Sequence, residues 1–78
     1  MKLVELIDVI DTYATVKISP PWDVDWTDEN PSFIGLAGEV TYSFIKAVGK
    51  RDVVDVSTFN QIKNGERDAC ISIMYSGA

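Results

Sequence analysis

The sequence predicts an α+β domain: one N-terminal amphipathic helix packed on an antiparallel sheet of four to five strands that closes in a C-terminal Asn-Gly hairpin. Three observations carry this. Leu3, Leu6, Ile7 and Ile10 recur at helical spacing. Ala14, Val16 and Ile18 alternate with polar residues, as a half-buried strand requires. Two β-branched runs, Val53 to Phe59 and Ala69 to Ser76, flank Asn64-Gly65, the strongest short-range hairpin motif.

Each element follows from local chemistry. Residues 2–11 form the helix, with Lys2, Glu5, Asp8 and Asp11 off the apolar stripe. It is too short to persist alone, so its stripe must pack on something, and Asp11 and Thr12 make its exit. The strand from Tyr13 to Ser19 ends at Pro20 and Pro21, neither of which can donate to a ladder. Ser32 to Leu36 reads as a second strand, with Gly35 marking a bulge or a close approach of backbone. Residues 39–48 fit two patterns. Val40, Tyr42 and Phe44 alternate as in a strand, whereas Val40, Phe44 and Val48, followed by Gly49, are spaced as in a helix. Their β-branched and aromatic content favours the strand. In the hairpin, a two-residue loop at Asn64-Gly65 sets Lys63 opposite Glu66, Thr58 opposite Ile71, Val56 opposite Ile73 and Val54 opposite Tyr75. Only this register keeps one face apolar; a slip of one residue would invert it.

Composition bounds the function. At 78 residues and 46 % apolar content the chain is one folded domain near the lower size limit for a single core. It holds no apolar run of membrane-spanning length and no secretory leader, which places it by default in the cytosol. The lone Cys70 excludes an intrachain disulfide and, within an apolar run, reads as an inert buried thiol. There is no histidine, which removes the commonest general base and zinc ligand. Ser57, Thr58 and Tyr75 therefore lack a histidine to activate them as nucleophiles. Gly49-Lys50-Arg51-Asp52 lacks the glycines and spacing of a phosphate loop. A non-enzymatic protein without cofactor is expected.

The charge is lopsided. Residues 1–40 carry eight acids against Lys2 and Lys17, and residues 41–78 carry four against five bases, for a net −5. An acidic half argues against direct nucleic-acid binding and for a protein partner with a basic surface; the plain alternative is that the acids keep a small protein soluble. The charge peaks between Pro20 and Pro31, which hold both tryptophans, all three prolines and four of the acids. Trp22, Asp23, Asp25, Trp26, Asp28 and Glu29 are the candidate partner-binding residues. Burying one indole yields about 5 kcal/mol gross, at roughly 25 cal/mol per Å² over some 200 Å². A core this small is expected to recruit at least one of the two rings and so leave the carboxylates as the displayed feature. Asp23, Asp25, Thr27 and Glu29 alternate like half a calcium loop, but Asp28 and Ile34 stand where that loop needs glycine and glutamate. A solvated acidic loop is the simpler reading, and no metal ligand is assigned.

The order of Leu3–Asp11, Val16-Lys17-Ile18, Phe33-Ile34-Gly35, Asp52-Val53-Val54-Asp55-Val56 and Ile71-Ser72-Ile73 resembles that of small uncharacterised proteins of phages and prophages of Gram-positive bacteria. The Pro-Trp-Asp loop is longer and more acidic than that pattern. The resemblance implies a product acting in the host cytosol, commonly by blocking a host protein. The expectation is thus a protein-binding module, an inhibitor of a host defence or nucleic-acid-processing protein that mimics nucleic acid with carboxylates for phosphates and indoles for bases. The alternatives are a structural or homo-oligomerising component joined through an open sheet edge, and a divalent-metal-binding protein.

Overall fold

A computed structural model describes residues 1–77. Helix α1 spans Leu3–Val9 and is followed by strand β1, Thr15–Ser19, and strand β2, Phe33–Leu36. A 3₁₀ turn over Ala37–Glu39 leads to helix α2, Tyr42–Val48, and the chain ends in the long strands β3, Val53–Lys63, and β4, Glu66–Tyr75. The sheet order is β2-β1-β4-β3.

Helix α1 keeps the stripe read from its spacing. Leu3 is buried, and Leu6, Ile7 and Ile10 pack against the core. It is one turn shorter than 2–11 because the backbone is already extended at Ile10. Asp11 then supports a turn, its Oδ1 accepting from the Tyr13 amide at 2.9 Å. At the other end the first helical N–H groups, orphaned in any helix, find partners across the fold. Leu3 donates to the Arg51 carbonyl and Val4 to the Gly49 carbonyl, each at 2.9 Å. The Glu5 carboxylate reaches back to the Lys2 amide at 2.9 Å, half of a capping box.

Two expectations are corrected here. Residues 42–48 are helix, not strand. Thr41 caps them, its Oγ1 accepting from the Phe44 amide at 3.2 Å. Phe44 and Val48, one turn apart, are buried on the sheet, and the Phe44 ring meets Phe33 at 6.0 Å. Gly49 closes the helix where a Cβ would lie 2.5 Å from the Ile45 carbonyl oxygen. The sheet is also mixed rather than antiparallel, because β1 runs parallel to β4 with Val16 beside Ile71 and Ile18 beside Ile73. That register stacks apolar residues of both central strands under the two helices. The core is Leu3, Val16, Ile18, Ala37, Phe44, Val48, Ile73 and Tyr75.

The hairpin forms as its turn chemistry requires. Asn64 and Gly65 take φ of +54° and +81°, the left-handed values of a type I′ turn. Lys63 pairs with Glu66, Thr58 with Ile71 and Val56 with Ile73. The match breaks at the far end: Val53, not Val54, lies opposite Tyr75, because a bulge falls between Val53 and Asp55. The N-terminus runs along this end of β3, with Lys2 bridged to Asp52 and the Val53 amide donating to the Met1 carbonyl at 2.9 Å. A Lys2 Nζ–Asp52 Oδ1 ion pair at 2.9 Å adds to the bridge. Among the described residues no helix is long and apolar enough to cross a membrane.

Candidate functional site

The stretch between β1 and β2 is built on two small turns and a fixed base. Pro20 is buried directly after β1. The Val24 amide then closes a turn on the Pro21 carbonyl at 2.9 Å, which lifts Trp22 and Asp23 away from the fold. Val24 points back: a Cβ on Gly77 would come within 3.1 Å of its Cγ2. The second turn is Thr27–Asn30, where the Thr27 hydroxyl oxygen accepts from the amides of Glu29 at 3.3 Å and Asn30 at 3.1 Å. Side-chain oxygens of threonine stabilise such turns by standing in for a backbone acceptor.

The base is held by two residues that lie far away in sequence. The Arg51 guanidinium donates to Asn30 Oδ1 and to the Ser76 carbonyl, both at 3.0 Å, and to the Glu29 carbonyl at 3.1 Å. It also lies over the Tyr75 ring, 5.8 Å from its centroid. Tyr75, fully buried, donates its hydroxyl to the Pro31 carbonyl at 2.6 Å. Burial pushes its phenol up from the ordinary value, and the nearby Arg51 charge offsets part of that rise. Sequence reasoning missed both as positioning residues. Arg51 sat in a turn-like basic run and Tyr75 at the end of an apolar strand, and neither context reveals a bond to a loop 20 or more positions away.

All six candidate residues lie on this one loop and all are exposed. Trp22 and Asp23 crown the first turn, Asp25 and Trp26 lie on the link, and Asp28 and Glu29 form the second turn. The expected recruitment of an indole into the core does not occur. Trp22 is 90 % exposed and Trp26 64 %. The core is completed without them, by Phe44 and Tyr75 with Pro20 buried beside β1. The four carboxylates make no ion pair among the described residues. Arg51, the cation next to them, spends its donors on a side-chain amide and on backbone carbonyls.

Burial raises the Cys70 thiol above its ordinary value, with the Asp68 charge adding to the effect, so the thiolate a nucleophile needs is disfavoured. The Lys2 partner holds the Asp52 carboxyl below the usual range. Among the described residues no cluster of three or more acids or cysteines is placed to hold a metal ion. A shallow cleft between the helices is lined by Val4, Tyr42, Ile45, Lys46, Gly49 and Lys50. Comparison with protein-family models, curated proteins and solved structures gives no match.

Proposed function

We propose that the protein is a non-enzymatic binding module that docks a protein partner through the loop Pro20–Pro31. The observation that carries this reading is the exposure of both indoles on a loop whose base is bonded to the fold. An exposed Trp22 forgoes about 4–5 kcal/mol of gross burial energy. That is comparable with the whole stability of a small domain. A partner that covers the ring recovers it, which is why exposed tryptophans anchor interfaces. Asp23, Asp25, Asp28 and Glu29 surround the rings with negative charge that forms no ion pair among the described residues, so the partner's contact face is basic and its approach is steered by charge.

The sharpest version is an inhibitor, phage-encoded as the sequence resemblance implies, of a host defence or nucleic-acid-processing protein. Such targets present basic grooves with apolar floors that receive bases. Carboxylates interleaved with indoles offer the same two chemistries as a nucleic-acid strand. The test is affinity capture from a Gram-positive host lysate at low and high salt, with wild type beside a Trp22→Ala/Trp26→Ala variant. A nucleic-acid-binding protein held by wild type at low salt, and released by the variant or by salt, is the expected result. Retention of the same proteins by both would remove the loop as the binding surface.

A further inference from the structure

The sheet has two edges, and they are managed differently. β2 is four residues long and leads directly into a 3₁₀ turn, a short edge of the kind that resists pairing. β3 is the other edge, eleven residues from Val53 to Lys63. It contains no proline, and Asp55 is its only charge before the terminal lysine. Among the described residues, the N-terminus bonds to it only at Val53.

The groups this edge offers can be worked out from the ladder. The pair flanking a two-residue type I′ turn is hydrogen-bonded, and bonded and non-bonded pairs alternate from there. Lys63–Glu66 is that first pair, so residues 55, 57, 59, 61 and 63 direct their backbone groups at β4. Val56, Thr58, Asn60 and Ile62 direct theirs outward, where no further strand pairs among the described residues. Val56 and Ile62 are also 50 % and 78 % exposed.

We propose that a second copy of this chain occupies the β3 edge, antiparallel about a two-fold axis at Phe59, joining two four-stranded sheets into one. The register is selected by the residues. A self-pairing must set outward positions opposite outward positions, which requires the two-fold axis to pass through a residue rather than between two. Only the axis at Phe59 places Val56 opposite Ile62, and it does so twice by symmetry. The same register sets Asp55 across from the lysine at position 63 in the sequence, Thr58 across from Asn60, and the two Phe59 rings across from each other. Apolar, aromatic and opposite-charge pairs are the cross-strand combinations that stabilise sheets. The four outward residues of each strand then exchange about eight backbone hydrogen bonds. The acidic loop is at the Arg51 end of β3, eight residues from the axis. The dimer therefore carries its two loops at opposite ends, about 50 Å apart.

Sedimentation velocity from about 1 μM to about 1 mM, the range expected of a small interface, tests this. Wild type should pass from one chain to two. Thr58→Pro deletes an outward N–H and spares the ladder to β4; it should remain folded by circular dichroism and dimerise at least tenfold more weakly. Should that variant unfold, Ile62→Lys, at an exposed position, gives the same answer. Wild type that stays monomeric at 1 mM, or a folded edge variant that dimerises like wild type, overturns the proposal. The register has its own check in a Cys70→Ala background. Phe59→Cys should form an interchain disulfide on oxidation, since a non-bonded pair brings Cα atoms to about 4.5 Å. Val56→Cys, opposite Ile62, should not; equal cross-linking of the two overturns the two-fold at Phe59. None of these changes touches the acidic loop, so they leave the reading of that loop to its own experiment.

Discussion

Replacing Arg51 by methionine should detach the acidic loop from the fold while leaving the sheet intact. Methionine keeps the aliphatic stem and removes the guanidinium, which makes three hydrogen bonds at 3.0–3.1 Å. Two of them, to Asn30 Oδ1 and the Ser76 carbonyl, are partly buried, and the third, to the Glu29 carbonyl, is exposed. At roughly 1–1.5 kcal/mol for each partly buried bond, little for the exposed one and about 0.5 kcal/mol for the Tyr75 ring contact, the loss is about 2.5–3.5 kcal/mol. If the loop unfolds together with the domain, Tm falls by about 10–28 °C, at roughly 4–8 °C per kcal/mol for a chain of this size. If the loop opens first, the loss appears instead as faster amide exchange at Val24 and Asn30, whose N–H groups close the two turns, with Val16 and Ile18 in β1 unchanged. Hydrogen exchange read beside a thermal melt separates the two cases. A Tm within about 3 °C of wild type together with unchanged exchange at Asn30 would refute the claim that Arg51 holds the loop.

Three further outcomes follow from the same geometry. Both indoles should be quenched by acrylamide nearly as efficiently in the native protein as in denaturant, since neither is buried; a strongly protected, blue-shifted tryptophan contradicts the loop geometry. The Asp52 carboxyl is held below its ordinary value by Lys2, so its contribution is present above the unfolded carboxylate pKa near 4 and is lost as pH falls through the lower folded value. Asp52→Asn should therefore flatten the acid limb of stability against pH, and an unaltered limb would show the ion pair to be without effect. Tyr75 has the opposite sign: its phenol is raised by burial, so the stability it lends is complete below about pH 10 and is lost as pH rises through the folded value. Tyr75→Phe should cost about 1–3 kcal/mol at neutral pH, by leaving the Pro31 carbonyl without its donor, and should remove the alkaline fall. Urea titrations at neutral and alkaline pH measure both.

The parts of the fold legible in the sequence are those where two local rules agree. Asn64-Gly65 supplies the φ values and the apolar alternation supplies the face, so the pairs Val56–Ile73 and Thr58–Ile71 could be named residue by residue. The reading failed where distant chain intervened. Nothing near Val54 reports that Met1 and Lys2 will run along β3 and accompany a bulge there. Tyr42–Val48 has strand-like composition, yet Phe44 and Val48 fill the space over β1 and β4, and burial outweighed propensity. The parallel pairing of β1 with β4 joins segments more than 50 positions apart, beyond the reach of any local pattern. The loop was legible as the departure from core-and-turn chemistry, but not in its energetics. The expectation that one indole must be buried assumed too few alternatives, and Phe44, Tyr75 and Pro20 supplied them.

That correction changes what a partner would read. With an indole in the core, the carboxylates alone would form the display and binding would be mostly charge. With both rings outside, the two chemistries would divide the kinetics of the proposed binding between them. Exposed charge acts over about 8–10 Å at ordinary ionic strength and mainly sets how fast partners meet. Covered aromatic area acts only in contact and mainly sets how slowly they part. Neutralising Asp23, Asp25, Asp28 and Glu29 to their amides should therefore lower the association rate constant and flatten its salt dependence. Trp22→Ala should instead raise the dissociation rate constant and leave the salt dependence intact. Surface plasmon resonance on a captured partner reads both constants directly. If the tryptophan change acted only on association, or the amides only on dissociation, the rings and the carboxylates would not be working as an anchor inside a steering field.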